Sequence, residues 1–400
     1  MRRRTFLASL AMPALSRGAA RPIEIAPGGT LLIDGRRQFV LGLYQLPNAE
    51  NPWREAREAG FNLVHVSPTA EELAKCRQYG FRCWVSLGSI SRDKAAEDKL
   101  RIGRIVNQFR GDPALLFWET EDEPAFLSKK IGPRIPPDRI IETYRFVKSL
   151  DPVHPLYLNH APVNLESTLR EYNDGADILA TDIYPVIPRG IRELYALWPD
   201  GQQGDLLNET ISQVGQYADR MRRVAGRSRA VWMVLQAFAW ENMRAKNRDP
   251  RMVLYPTREQ LRFMAYQSLI HGANGLLFWG LAFTPANAPL WPDLKKVAQE
   301  LAPLGPLLAT DPIRAPLQIG YRENGHGVDR GIEWAAREDG RDILLMCTNA
   351  DRNPLDVTFR GLKDYARAER IGEPGTVAIQ DGTFNESFLP FGTKVYRVRR

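Results

Sequence analysis

Cysteine and histidine are scarce in this sequence. The 400 residues include three cysteines, Cys76, Cys83 and Cys347, which form no CxxC pair, and five widely spread histidines with no HExxH or comparable metal-ligand spacing. The odd number of cysteines argues against a disulfide framework, and we expect buried free thiols. The sequence therefore gives no reason to expect a metal site or a cofactor.

Long apolar runs and dense basic blocks are also missing. No segment after the first twenty residues approaches the roughly eighteen consecutive apolar residues of a membrane-spanning helix. The formal net charge is +7, but Lys and Arg are scattered, whereas nucleic-acid-binding proteins gather them on one face or arm. We therefore expect no stable membrane insertion once the first twenty residues, a predicted leader, are removed. We also expect no nucleic-acid partner. The sequence leaves the oligomeric state open.

Residues 1–20 have the composition of a twin-arginine signal peptide. The pair Arg2-Arg3 precedes a short apolar run over residues 6–15, and the small residues Gly18 and Ala20 suit a signal peptidase. We expect the mature protein to be exported to the periplasm or the extracellular space by the twin-arginine route. The alternative is the basic start of a cytosolic protein.

Residues 21–311 alternate between strand-like and helix-like segments. Each apolar run ends in polar or aromatic residues and precedes a stretch with helical periodicity. The predicted strands are 39–44, 62–67, 83–87, 115–119, 156–159, 178–182, 231–236 and 275–279. The predicted helices are 53–59, 70–79, 95–109, 137–150, 165–172, 211–225, 257–271 and 292–308. Eight such units predict an α/β fold of the (β/α)8 TIM-barrel type. The length of residues 21–311 agrees with this fold, whose typical size is about 250 residues.

The two ends of the barrel segment carry extra β-structure. Two apolar runs flank a glycine-containing turn at residues 31–41, which predicts an N-terminal β-hairpin. From residue 312 to residue 400 helical periodicity fades, and short β-rich runs alternate with Gly, Asn and Asp. We expect a small C-terminal antiparallel β-domain there, similar to a β-sandwich. An open doubly wound sheet is the alternative to the barrel, but no GxGxxG turn follows the first strand.

The fourth predicted strand ends in a cluster of acids, within the segment WETEDEP at residues 118–124. Barrel active sites lie at the carboxyl ends of the strands. Carboxylates that converge there raise one another's pKa, as a general acid requires. The alternative interpretation is a solvated acidic loop. The position at a strand end favours a catalytic role for Asp122 and Glu123, with Glu121 beside them.

Other strand ends supply the groups expected of a carbohydrate-binding cleft. Asp182 and Tyr184 follow the sixth strand and point to the same side of an extended segment. Aromatic faces stack on sugar rings, while amides and carboxylates bind the hydroxyls. The expected substrate-binding residues are Tyr44, Glu121, Asn159, His160, Tyr184, Gln236, Trp240, Glu241 and Trp279.

These features together resemble the clan-A glycoside hydrolases over most of residues 30–310. The segment FWETEDEP at 117–124 resembles the strand-four signature ending Asn-Glu-Pro, in which the Glu is the acid/base. Asp122 stands in the place of the Asn, and Glu123 keeps the catalytic place. Residues 31–44, 176–185 and 273–279 resemble the first, sixth and last strand regions of these barrels. The resemblance implies a glycosidase with a carbohydrate substrate and Glu123 as its general acid.

One position departs from this family. The clan's nucleophile is a Glu at the end of strand seven, where this sequence has Gln236. Glu241 could replace it, or Asp182 could act as the base of an inverting reaction, which needs carboxyl groups about 6.5–9.5 Å apart. A third account is substrate-assisted hydrolysis, since the Asp122-Glu123 pair resembles that of barrel hexosaminidases. Asp122 would then orient the sugar's acetamido group and Tyr184 would bind its oxygen.

Two other functions compete with a glycosidase. A non-catalytic carbohydrate-binding protein on a degenerate barrel is the main alternative, because Gln236 has no carboxylate. A lyase or aldolase of the Schiff-base type needs a buried lysine at a strand end, and none occurs on the eight predicted strands. We therefore favour a glycosidase among these functions. For its mechanism we rank inverting or unassigned chemistry ahead of the substrate-assisted route.

Overall fold

The computed structural model describes residues 23–126, 133–188 and 208–400, so the predicted signal peptide lies outside the described residues. A three-stranded antiparallel sheet comes first, formed by β1 (Glu24–Ile25), β2 (Leu31–Ile33) and β3 (Arg36–Gln38). Leu31 and Ile33 pack against Val40 at the start of the next strand. This sheet therefore closes the amino-terminal end of the barrel.

Eight parallel strands form a closed barrel, with helices between them in the chain. The barrel strands are β4 (Val40–Leu43), β5 (Leu63–His65), β6 (Arg82–Ser86), β7 (Leu115–Asp122), β8 (Leu156–His160), β9 (Ile178–Ile183), β10 (Ala230–Gln236) and β11 (Gly275–Trp279). The helices are α1 (Pro52–Glu58), α2 (Ala70–Tyr79), α3 (Ala95–Phe109), α4 (Pro137–Leu150), α5 (Glu166–Arg170), α6 (Gln213–Ala225), α7 (Arg258–Ile270), α8 (Leu290–Leu301) and α9 (Gly305–Leu308). The predicted barrel is confirmed.

Large aromatic side chains fill the interior of the barrel. Trp84, Phe117, Tyr157 and Trp232 are fully buried there, and the ring centroids of consecutive pairs lie 5.3–5.9 Å apart. Because strand side chains alternate between the two faces, the next inward position lies two residues further along each strand. The aromatic layer thus forms a floor beneath the polar residues at the strand ends.

The C-terminal domain consists of two antiparallel sheets. One has the order β12–β15–β18, and the other β13–β14–β19–β16–β17. These strands are β12 (Gln318–Arg322), β13 (Ile332–Asp339), β14 (Asp342–Asn349), β15 (Leu355–Arg360), β16 (Arg367–Ile371), β17 (Thr376–Ala378), β18 (Phe384–Phe388) and β19 (Thr393–Arg399). Phe359 and Phe384 of the first sheet pack with Tyr396 of the second in one apolar cluster. The predicted β-domain is confirmed.

The β-domain packs against α7 of the barrel. Arg262 of α7, only 6% exposed, bonds the carboxylate of Glu300 at 2.9 Å and the carbonyl of Ile371 at 2.9 Å. Its five donors suit such a convergent set of acceptors. Glu300 belongs to α8 and Ile371 to β16, so one guanidinium joins the two domains.

Two further predictions concern cysteines and membranes. Cys76, Cys83 and Cys347 are buried and free, which confirms the free thiols expected from the sequence. Within the described part of the chain, no helix combines the length and apolar character needed to cross a membrane.

Candidate active site

A cavity lies at the carboxyl-terminal ends of the barrel strands, and six strands or the loops after them contribute to it. Of the twelve residues predicted for the site, eight line this cavity. They are Tyr44, Asp122, Glu123, Asn159, Asp182, Tyr184, Trp240 and Trp279. Residues far apart in sequence meet here because the carboxyl ends of parallel strands converge on one face of the barrel.

A β-bulge near the end of β7 decides which acids face the cavity. Glu119 pairs with Tyr157 of β8 and Asp122 pairs with Asn159, so β7 holds one extra residue between these pairs. Such a bulge reverses the alternation of side chains. Glu119 therefore points into the barrel and Asp122 into the cavity. Glu121 turns away and accepts hydrogen bonds from the backbone and hydroxyl of Ser89, at 2.9 and 2.7 Å.

Glu123 begins the loop after β7 in a left-handed conformation, with φ of 48°. Such a conformation strains a non-glycine residue and is common at functional sites. Its N–H donates to the carbonyl of Asn159 at 3.0 Å, which fixes the loop to the neighbouring strand. The Glu123 carboxylate lines the cavity and lies 3.3 Å from the guanidinium of Arg134. This positive charge favours the ionised carboxylate.

Asn159 connects two of the cavity carboxylates. Its Nδ2 donates to Asp122 Oδ1 at 3.0 Å and to Asp182 Oδ1 at 3.3 Å. Since both oxygen atoms bond the same nitrogen, they lie at most 6.3 Å apart. The Oδ1 of Asn159 is buried and has no hydrogen-bond partner among the described residues. The amide therefore positions an acid pair and keeps one acceptor unused.

The environments of these two acids differ. Asp182 is only 6% exposed, and burial raises its pKa well above the usual value, with further increases from the negative charges of Glu123 and Asp122. Asp122 is exposed to the cavity, yet the surrounding protein desolvates its carboxylate and raises its pKa. The bond from Asn159 and the charge of Arg134 oppose that increase. Asp182 is therefore the acid more strongly held in its protonated form.

Aromatic rings also line the cavity. Tyr184 stacks on Trp279, with centroids 5.4 Å apart and planes 23° apart. Phe238 packs edge-on against both, and Trp240 Nε1 donates to the carbonyl of Tyr184 at 3.1 Å. Flat aromatic surfaces beside carboxylates suit the apolar and polar faces of a sugar ring.

The remaining predicted residues lie outside this cavity. His160 is fully buried and packs edge-on against Tyr172, and burial lowers its pKa to about 3. Gln236 is fully buried, and its amide bonds the backbone of Val186 and Phe238. Glu241 is buried and bonds Arg244 and the backbone of residue 249. Together with Glu121, these side chains hold the structure around the cavity.

The sequence analysis missed Glu119 and Arg134. Glu119 accepts hydrogen bonds from Trp84 Nε1 at 3.2 Å and from Ser86 Oγ, and burial raises its pKa to about 7. The alternation of residues along β7 could have identified Glu119 as an inward position. Arg134 lies in the loop before α4, eleven residues after the acid that it contacts, and no local pattern marks it.

Comparisons with solved structures identify several glycoside hydrolases with the same fold. A protein described as a glycoside hydrolase has a TM-score of 0.60 at 13% identity, over 95% of this chain and 97% of its own. A family 27 β-L-arabinopyranosidase from Geobacillus stearothermophilus has a TM-score of 0.57 at 11% identity, over 91% and 97%. A family 30 subfamily 8 xylanase from Clostridium acetobutylicum has a TM-score of 0.53 at 10% identity, over 91% and 96%.

Neither a family model nor a curated protein sequence matches the chain. At identities this low, structural similarity concerns the arrangement of the backbone rather than the activity. The chain shares its fold, a closed barrel followed by a β-domain, with glycoside hydrolases.

Proposed function

We propose that this protein is a glycoside hydrolase that cleaves an oligo- or polysaccharide in the cavity at the barrel mouth. The observation that carries the proposal is the convergence of Asp122, Glu123 and Asp182 in one cavity with the stacked rings of Tyr184 and Trp279. Acid catalysis at a glycosidic oxygen needs a protonated carboxyl group beside an ionised one. The cavity supplies both kinds of carboxyl group next to a surface that fits a sugar ring.

The sequence-based assignment gives the proton-donating role to Glu123. The ion pair with Arg134 favours the ionised form of this side chain, whereas burial favours the protonated form of Asp182. We therefore propose Asp182 as the general acid and keep Glu123 as the second candidate. Both residues line the same cavity, so each is within the region that a bound sugar would occupy.

The acid pair bridged by Asn159 suggests the type of reaction. Retaining glycosidases separate their carboxyl groups by about 5–5.5 Å, and inverting enzymes by about 6.5–9.5 Å to admit a water molecule. The limit of 6.3 Å between the Asn159-bonded oxygens of Asp122 and Asp182 favours the shorter, retaining arrangement. Glu241, which the sequence offered as a replacement nucleophile, lies outside the cavity and accepts a hydrogen bond from Arg244.

In the proposed reaction, Asp182 gives its proton to the glycosidic oxygen as the bond to the anomeric carbon breaks. The Asp122 carboxylate attacks the anomeric carbon and forms a covalent glycosyl ester. Asp182, now ionised, takes a proton from water, and the resulting hydroxide displaces Asp122 and returns the sugar with its original configuration. The inverting route with Glu123 as acid and Asp182 as base, and the substrate-assisted route through Asp122, make different stereochemical or substrate predictions.

A screen of nitrophenyl glycosides, including N-acetylhexosaminides, tests the proposal. Proton NMR of the first-formed anomer separates the routes: retention on sugars without an acetamido group supports the Asp122 ester, inversion supports Glu123 with Asp182, and retention limited to acetamido sugars supports substrate assistance. Absence of hydrolysis on all substrates, together with measurable sugar binding, would favour the non-catalytic alternative. That alternative draws on Gln236, which leaves β10 without a carboxylate at its end.

A further inference from the structure

Two of the eight barrel strands do not contribute to the cavity. Among the described residues, the cavity lining comes from β4, β7, β8, β9, β10 and β11 or from loops that follow them. The remaining strands, β5 and β6, lie next to each other in the barrel and end in His65 and Ser86. This sector of the barrel mouth therefore has polar side chains to which the proposed reaction assigns no role.

Strand alternation directs both side chains toward the barrel axis. Leu63 and Trp84 belong to the inner cluster of the barrel, and His65 and Ser86 lie two residues beyond them. Inward positions recur at every second residue of a strand. Ser86 is exposed and His65 half-buried, so solvent reaches this sector from the mouth.

A hydrogen-bonded chain connects this exposed sector to the buried acid of β7. His65 Nε2 lies 2.9 Å from Ser86 Oγ, which in turn donates to Oε2 of Glu119. Trp84 Nε1 donates to the same Oε2 at 3.2 Å. The chain holds the Ser86 hydroxyl in one orientation at the surface, where it keeps an unused lone pair.

Glu119 adds an independent sign of an incomplete polar cluster. The whole residue is only 4% exposed, and its buried Oε1 has no hydrogen-bond partner within the described ranges. Buried polar atoms are nearly always bonded, and an unbonded one commonly marks a place for water or a ligand group.

The sector adjoins the cavity through Tyr44. The Tyr44 ring lines the cavity and lies 6.3 Å from the ring of His65 and 5.0 Å from that of Trp84, measured between centroids. Tyr44 is also bonded to Tyr157 through its hydroxyl, at 2.8 Å, which fixes the ring between the two regions. A chain molecule that occupies the cavity can therefore continue over Tyr44 toward Ser86.

We propose that Ser86 and His65, with Glu119 orienting the Ser86 hydroxyl from below, form a second sugar subsite, which binds a further ring of an oligosaccharide whose scissile bond lies beside Asp122 and Asp182. A hydroxyl and an imidazole that solvent reaches are groups that hydrogen-bond sugar hydroxyls. The inference rests on the proposed function and adds that the oligosaccharide substrate extends past Tyr44 to the part of the barrel mouth formed by β5 and β6.

Binding measurements on a non-hydrolysing variant test the subsite. Asp182→Asn serves as the background, and xylotriose, cellotriose and maltotriose are compared with xylose and glucose by isothermal titration calorimetry. Addition of Ser86→Ala should weaken trisaccharide binding about three- to tenfold, the effect of one lost hydrogen bond, and leave monosaccharide binding unchanged. Ser149→Ala, an exposed serine at the end of α4, is the matched control and should change neither.

Each outcome decides one point. If the background variant binds a trisaccharide and Ser86→Ala binds it equally well, the subsite is wrong and the proposed function stands. If Ser86→Ala weakens the monosaccharide and the trisaccharide by the same factor, the serine acts within the first site and the subsite is again wrong. If the background variant binds no saccharide, the proposed function fails and the subsite fails with it. His65→Gln, which alters the other end of the chain, should reproduce the Ser86→Ala pattern.

Discussion

Gln236 and Val186 are joined by two hydrogen bonds. The Gln236 amide oxygen accepts from the Val186 N–H at 2.9 Å, and the amide nitrogen donates to the Val186 carbonyl at 3.0 Å. The same nitrogen also donates to the carbonyl of Phe238 at 3.1 Å. Gln236, at the position where clan-A glycoside hydrolases carry their nucleophile, thus fastens the chain after β9 to the end of β10.

Gln236→Glu should not restore a nucleophile. The substituted carboxylate would face the carbonyls of Val186 and Phe238, which now accept hydrogen bonds from the amide. We expect the free energy of unfolding to fall by about 2–3 kcal/mol near neutral pH, from unsatisfied buried acceptors. Urea unfolding measures this change, with Gln299→Glu on the exposed face of α8 as the control. A stable variant with increased hydrolysis would contradict the structural role.

Asp182→Asn should reduce hydrolysis by about 10²- to 10⁴-fold, the usual contribution of a general acid. The amide keeps the shape and neutrality of the protonated acid, so the fold should be unaffected. Because the pKa of Asp182 is raised, parent activity should fall as the pH rises through that pKa, and this alkaline limb should disappear in the variant. Asp174→Asn, at an exposed aspartate, is the control. A larger loss in Glu123→Gln than in Asp182→Asn would transfer the acid role to Glu123.

Arg134→Gln should move the acidic limb of the pH profile to higher pH. Arg134 opposes the effect of burial on Asp122, so its removal should raise the pKa of this carboxyl further. An ionised Asp122 would then be available only at higher pH. Profiles of kcat/KM against pH measure the shift, and Arg145→Gln on the exposed side of α4 should leave the profile unchanged. An unchanged profile in Arg134→Gln would separate Arg134 from the reaction.

Trp279→Ala should weaken sugar binding about tenfold, through loss of its aromatic face and of the stacking that holds Tyr184. Trp279→Phe keeps an aromatic ring and should recover most of the affinity. Calorimetric titration of the Asp182→Asn background measures both variants. Equal affinity in the alanine and phenylalanine variants would show that the ring contributes nothing to binding.

Glu119 should make the stability of the parent depend on pH. Its pKa is about 7 in the folded protein against a reference value of 4.5, so the folded state holds a proton that the unfolded chain releases. The contribution of Glu119 to the free energy of unfolding is therefore fully present below pH 4.5. It is lost as the pH rises to about 7, by about 3 kcal/mol in total. Glu119→Gln should lose this dependence. Urea unfolding at pH 5 and pH 8 compares the two proteins; parallel changes in both would exclude Glu119 as the source.

Local sequence patterns determined the order of strands and helices. Strand and helix periodicities are properties of neighbouring residues, so β4 to β11 could be located before any contact was known. Because parallel strands converge at their carboxyl ends, the pattern also placed Tyr44, Asn159, Asp182 and Trp279 in one region. Those four residues line one cavity in the structure.

Tertiary structure alone decided how the acids are oriented and paired. The bulge in β7 turns Glu121 outward and brings Glu119 and Asp122 inward, because its extra residue becomes evident only when β7 is paired with β8. The contact of Arg134 with Glu123 depends on the path of a loop. The charge state of each carboxyl group follows from its burial and from neighbours contributed by other strands. The sequence could therefore identify the acids but not which of them is protonated.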